Sequence, residues 1–179
     1  MADNPHGPFF RRAVPPDREA FLQYIEDCRV ALDKVRARGG DDMALIMAAG
    51  ELGSALFMQE GSEAEAATLL EEALALSRKQ GDRATEIDGL LGLATARQYL
   101  GARDAALAMF EAGLRLCDET GIREQEHFLL HHMGRCLVEM GRIDEARAAF
   151  EKALVLRRAA GNARFIASTQ GALEELAKL

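Results

Sequence analysis

From Asp17 to Arg38 the apolar residues Phe21, Ile25, Cys28, Leu32 and Val35 return at steps of three and four, with charges between them. That spacing lays one apolar stripe along an amphipathic helix. Gly39-Gly40 stops it, and Asp41-Asp42 supplies an N-cap for a second helix that runs to about Glu60 and carries Leu45, Leu52, Leu56 and Phe57. After the turn at Gly61-Ser62, Ser62 and Glu65 have the spacing of a capping box, in which each side chain serves the other's backbone N–H. The helix that follows holds Leu69, Leu70, Leu74 and Leu76 and ends at Gln80. The same plan predicts Arg83 to Leu100, Arg103 to Thr120, Arg123 to Met140 and Asp144 to Ala160. A last helix runs from Ala163 to about Lys178, with Ile166, Leu173 and Leu176 facing in and Glu174, Glu175 and Lys178 facing out. About eight antiparallel helices are expected.

The turns keep time. Gly61, Gly101 and Gly141 form one comb of period 40, and Gly81, Gly121 and Gly161 form a second, offset from the first. Between them Ala66, Ala106 and Ala146 recur, then Leu70, Phe110 and Phe150, then Leu74, Leu114 and Leu154. A period of this length in an Ala/Leu/Glu-rich chain means repeats that stack to bury what none could bury alone. The expected organisation is a Pro-rich, flexible, extended segment at 1–16, which holds all four prolines, and a single helical domain at 17–179. Within that domain 17–38 is a leading helix, 41–80, 81–120 and 121–160 are hairpins, and 162–179 is a closing cap. Phe9-Phe10-Arg11-Arg12 could dock on a partner, fold back on the array, or stay loose.

Composition narrows the function. The chain has 179 residues, 49% hydrophobic and 28% charged, which is ordinary for a folded protein. Charges interrupt every apolar run, so no bilayer span is expected, and MADNPHGPFFRRAVPP lacks the pattern of a secretory signal. The expected compartment is the cytoplasm. A net charge of −7 argues against nucleic acid or an anionic membrane as partner and favours a basic or mixed-charge protein. Cys28, Cys117 and Cys136 include no C-x-x-C pair and are expected as reduced, packed thiols.

The repeat resembles the tetratricopeptide repeat in a form with a longer period. The resemblance covers Asp41 to Gly161 and is strongest in GRIDEARAAFEKAL. It rests on the turn glycines, the alanine five residues on, the large apolar residue four later, and Ser54, Ala94 and Gly134 as the small residue late in each first helix. Arg78, Asp118 and Arg158 stand where the family has proline, and the family's early tryptophan is absent. The resemblance implies an all-α, right-handed α-α superhelix whose first helices line a concave groove for a peptide or protein partner. Carried onto this chain, the groove positions are Glu51, Met58 and Gln59, then Asp88, Leu91, Thr95, Gln98 and Tyr99, then Phe128, His131, Arg135, Val138 and Glu139. Tyr99, Phe128, Leu91 and Arg135 are the expected anchors, being types common at binding hot spots; Leu91 and Phe128 could equally pack between repeats. Members that bind chaperone tails use Lys and Asn where this chain has Glu51, Leu91 and His131, then Ala55, Thr95 and Arg135, so that ligand is disfavoured.

No catalytic set emerges and no cofactor is expected. His127 and His131 share a helix face with Glu124 near them, yet no third ligand is placed, so metal binding is disfavoured. His131 with Arg135 could hold a carboxylate. Cys136 falls where Leu56 and Ala96 stand in the other hairpins, which predicts burial. Gly89 and Gly92 lie inside a helix, either for close packing or at a cost of about 1 kcal/mol each. Glu63, Glu65, Glu71, Glu72 and Glu86 read as a solvated outer face. The expected function is a non-catalytic interaction module. Two others stay open: an inhibitor or immunity-type protein neutralising a basic partner, and a sensor of a small ligand or signalling peptide. Self-association through an end of the array is also open.

Overall fold

The computed structural model describes residues 15–179, so the expectation for the Pro-rich segment, including Phe9-Phe10-Arg11-Arg12, lies almost wholly outside the described residues. The described residues contain eight helices and no strand. They are α1 (Arg18–Ala37), α2 (Asp42–Leu56), α3 (Glu63–Gln80), α4 (Arg83–Tyr99), α5 (Arg103–Thr120), α6 (Glu126–Glu139), α7 (Ile143–Ala160) and α8 (Ala163–Leu176). All six comb glycines have positive φ, between 71° and 89°. The chain reverses there through a left-handed residue that other side chains resist, which is why the combs are glycine. After two of these glycines an aspartate or asparagine caps the next helix, Asp82 accepting from Thr85 N–H and Asn162 from Phe165 N–H, and Asp41 does the same for α2 from Ala44 N–H.

Chain contacts group into two units, residues 15–102 and residues 103–179. In the first, α1 packs on α2, α2 on α3, and α3 on α4. Leu52, Leu56, Leu70, Leu74, Ile87, Leu90 and Leu93 form its core. Leu70 meets glycine on both sides: a Cβ on Gly53 would come within 2.7 Å of it and one on Gly92 within 3.1 Å. A Cβ on Gly89 would lie 3.2 Å from Leu74. Gly89 and Gly92 are therefore close-packing glycines. In the first hairpin the close approach belongs to Gly53, whereas Ser54, expected in that role, is exposed.

Capping departs from expectation at Ser62. It makes no side-chain cap, because its backbone (φ −105°, ψ 7°) leaves the extended region a capping side chain needs. Glu65 instead pairs with Arg29 of α1, which also holds its carboxyl below the usual range. The glutamate face is more structured than a solvated surface. Glu72 pairs with Arg36 and Glu71 with Arg97, so α3 is linked to α1 and α4. Half-exposed pairs contribute little each, and their role is chiefly orientation. Glu86 is 7% exposed, because Arg78 (2.8 Å) and Arg83 (2.6 Å) close over it. Burial pushes its carboxyl up, and the two arginines more than reverse that, leaving it below the ordinary value.

In the second unit α6 lies at the centre, packed by α5 and α7, and α8 packs on α7. Phe110 and Phe150 have no exposed surface. Gly134 makes room for Phe150, whose ring atoms lie 2.8–3.0 Å from where a Cβ would stand, and Gly113 does the same for Leu129 at 2.8 Å. The start of α6 is Glu126, not Arg123. Where Asp82 and Asn162 cap their helices the comb has Ile122, which has no oxygen to offer, and Arg123 spans the connection by pairing with Asp118 (3.1 Å) and Glu126 (2.9 Å). All three cysteines are buried, and burial pushes the Cys136 thiol up to about 12. No described helix is long and apolar enough to cross a membrane.

Candidate functional site

A helix backbone carrying glycine on its outer side is bare, and α2 has such a place at Gly50. Among the described residues, an added Cβ there would meet nothing within 4 Å. On the same helix Met43 and Met47 are 42% and 67% exposed, about two turns and one turn before Glu51. Leu70 and Ala73 of α3 form the floor beneath them, and α4 contributes Thr85, Asp88 and Gly89 as the facing wall. Together these residues enclose an open groove of about 490 Å³, within the ~300–1,000 Å³ common for ligand sites. Two carboxylates, Glu51 and Asp88, stand on it, and among the described residues no lysine or arginine lines it. Tyr24 of α1 donates from Oη to Glu51 Oε1 at 2.8 Å, and that bond is the main reason its phenol is pushed up. A neutral donor leaves the Glu51 charge in place.

Because Gly50 sits inside α2 with open space above it, Gly50→Ala is expected to raise stability by about 0.5–1 kcal/mol. Urea unfolding followed by circular dichroism measures it; a loss of stability would mean that something already occupies the space above the glycine.

The expected groove residues divide by placement. Glu51 and Asp88 line this groove and are exposed. Met58, Gln59, Leu91 and Tyr99 are half-buried in the same unit, Tyr99 with its ring tilted on Phe57 at 6.1 Å. Thr95 and Gln98 are each 2% exposed, and Thr95 Oγ1 is turned back to donate to the Leu91 carbonyl at 2.8 Å. In the second unit Phe128 is half-buried against Phe165 of α8, with ring centroids 4.9 Å apart. His131, Arg135, Val138 and Glu139 are buried, Val138 completely. They sit on the central helix of their unit, and Glu139 accepts from Arg103 Nε at 3.0 Å. Val138 therefore presents nothing to a partner.

Sequence reasoning missed Arg157. It occupies the column of Ser77 and Cys117, small residues with no exposed surface, yet as an arginine it is only 2% exposed. Its Nη1 donates to the Phe165 carbonyl (3.1 Å) and to Thr169 Oγ1 (2.6 Å), and its Nε to His127 Nδ1 (3.2 Å). The guanidinium carbon lies 5.4 Å from the Phe128 ring centre and 5.3 Å from that of Phe165. No described carboxylate forms an ion pair with it, and burial lowers its pKa to about 10. His131 Nδ1 lies 3.3 Å from Thr169 Oγ1. The two histidines singled out as a metal pair thus belong to a clamp that ties α6 and α7 to α8. Among the described residues no group of three or more His, Cys, Asp or Glu is placed to hold a metal. The second unit also has furrows of about 370 and 210 Å³ on α5, α6 and α7, sharing Leu130 and Lys152, with charges of both signs on their walls.

Comparison with known proteins follows the same lines. The tetratricopeptide repeat model matches residues 127–159, which is α7 with most of α6. Among solved structures the chain is similar to BtubC (BKLC) from P. vanneervenii, with TM-score 0.72 and 18% identity over 88% of this chain. It spans 65% of that protein's length. It is also similar to a Podosopora anserina protein assigned as a kinesin light chain with nearly identical TPR-like repeats, with TM-score 0.64 and 18% identity over 89% of this chain and 83% of that one. No curated protein matches the sequence. The chain thus carries a tetratricopeptide-repeat match on its third hairpin and shares the all-α repeat fold of these structures over most of its length.

Proposed function

We propose that the chain is a non-catalytic interaction module that receives a peptide segment of a protein partner in the groove between α2 and α4. Tetratricopeptide repeats generally bind proteins or peptides. The observation that carries the proposal here is the methionine-edged groove over Gly50, a place where the described residues leave apolar surface uncovered. A protein partner is favoured over a nucleic acid, because the described residues of the groove offer two carboxylates and no lysine or arginine to a phosphate backbone. Glu51 and Asp88 keep the role expected of them, with Met43 and Met47 added. Leu91, Tyr99 and Phe128 form a second group of half-buried candidates.

The test is capture by the purified full chain beside its Gly50→Leu variant, which fills the groove from a position where the first side-chain carbon meets nothing. Helicity and melting should be preserved. Proteins retained by the wild type and lost by the variant are the expected result; equal retention by both would place the binding surface elsewhere.

A further inference from the structure

We infer that the clamp around Arg157 is an acid-opened latch, in which protonation of His127 frees α8 from the α6–α7 hairpin while that hairpin stays folded. The attachment of α8 is weak in apolar contact. It packs on α7, and of its own residues Thr169, Ala172 and Leu176 are the buried ones. An element that buries so little apolar surface opens before the rest of its unit unless something else holds it. Here the hold is polar. Arg157 Nη1 donates to the Phe165 carbonyl at 3.1 Å and to Thr169 Oγ1 at 2.6 Å, both on α8. The guanidinium is itself fixed from α6, where its Nε donates to His127 Nδ1 at 3.2 Å. The Phe165 ring completes the clamp, 4.9 Å from the ring centre of Phe128 and 5.7 Å from that of His127.

The bond from Arg157 Nε needs a bare Nδ1, so the latch holds while His127 is neutral with its proton on Nε2. Protonation sets one N–H against another and a second cation beside the guanidinium. Among the described residues Arg157 of α7 is the charged group that acts on His127; α5 and α8 bring none, and on α6 itself His131 stands one turn on. Burial, then Arg157, lowers the His127 pKa. His127 is half-buried, so water reaches it, whereas His131, 7% exposed and facing Arg157, Arg135 and His127, is lowered to about 3. Once α8 has left, His127 returns toward its ordinary value near 6.5, so the open form binds the proton more tightly and gains population as pH falls below that value. Opening uncovers the side of the Phe128 ring that Phe165 now covers.

Amide hydrogen exchange of the full chain, compared between about pH 7.5 and pH 5.5 as protection factors that cancel the intrinsic effect of pH, tests the latch. At both pH values α8 should be less protected than α6 and α7, and its protection should fall several-fold on acidification. His127→Asn sets Oδ1 where Nδ1 stands, an acceptor for Arg157 that does not titrate. In that variant α8 should keep the same protection at both pH values, while the acid-linked decline of α6 and α7 persists through the remaining histidines. His131→Gln should leave the α8 decline in place. Two results would overturn the latch. One is an α8 as protected as α6 and α7 and falling in step with them, which is unfolding of the whole unit and is read on the wild type alone. The other is an α8 decline that survives His127→Asn or disappears on His131→Gln.

Discussion

Phe150→Ala should lower stability by about 3–5 kcal/mol, among the largest effects of any single substitution in the chain. The ring has no exposed surface, lies edge-on to His131 at 5.4 Å, and is pressed against the bare backbone of Gly134. Removing it opens a cavity that α6 and α7 cannot close without losing their other contacts. Gly134 supplies a second readout. In the wild type Gly134→Ala puts a methyl 2.8 Å from the ring and is expected to cost stability, since overpacking typically costs about 1–3 kcal/mol. In the Phe150→Ala background the clash is gone, and the same change should gain the roughly 1 kcal/mol of an ordinary helical alanine. Chemical unfolding of the two single variants and the double variant measures the cycle. A Phe150→Ala loss below about 1 kcal/mol, or a Gly134→Ala effect that keeps its sign, would refute the jammed interface.

Acidification is the second expected large effect. Burial, then the charges of Arg157, Arg135 and His127, lowers the His131 pKa to about 3. Burial lowers His132 well below its ordinary value as well, and burial followed by Arg157 lowers His127. Below the ordinary histidine value near 6.5 the unfolded chain takes up protons that the folded chain refuses, so the folded state loses ground as pH falls from there toward 3. Each such histidine contributes a slope of up to about 1.4 kcal/mol per pH unit. Carboxylates held low by arginines, such as Glu65 and Glu86, contribute in the same direction but only through the lower carboxylate range, so the upper part of the decline belongs to histidine. Urea unfolding between about pH 7 and pH 5 should show the decline, and His131→Gln should flatten it. Stability independent of pH over that interval would mean that the folded chain accepts the protons after all.

The helices and their turns were legible because they depend on short-range chemistry. A glycine that must adopt positive φ, followed by a capping aspartate or asparagine, writes its structure into two adjacent residues. Ile122 shows the converse: with the capping oxygen missing, α6 starts later, and a periodic reading that assumed a cap placed its start at Arg123. Ser62 and Glu65 match a capping box on paper, but Arg29, far off in sequence, takes the glutamate. The close approach at Gly53 instead of Ser54 is a shift of one residue in how α2 meets Leu70, and the period of 40 carries no trace of it. The candidate site divides in the same way. Glu51 and Asp88 could be placed by projecting the repeat, whereas the burial of His131, Arg135, Val138 and Glu139 comes from helices packed around α6. Arg157 did leave a mark, an arginine in a column of small residues. Only its partners on α6 and α8 explain how it can be buried.

That column also limits how far the chain is modular. A repeating backbone suggests 40-residue pieces that could be moved or duplicated at will. Ser77 would permit it, since its hydroxyl donates to the Leu74 carbonyl of its own helix and asks nothing of its neighbours. Arg157 would not. Its hydrogen-bond acceptors are His127 in the same hairpin and Phe165 and Thr169 beyond it, so residues 121–160 excised alone carry a cation whose protein acceptors are mostly left behind. A duplicated third hairpin would bury that guanidinium against the wrong neighbour, at a cost of several kcal/mol. The smallest transferable piece at this end of the array is the third hairpin together with α8, and any engineered extension has to be joined after Leu176 or has to change Arg157 first.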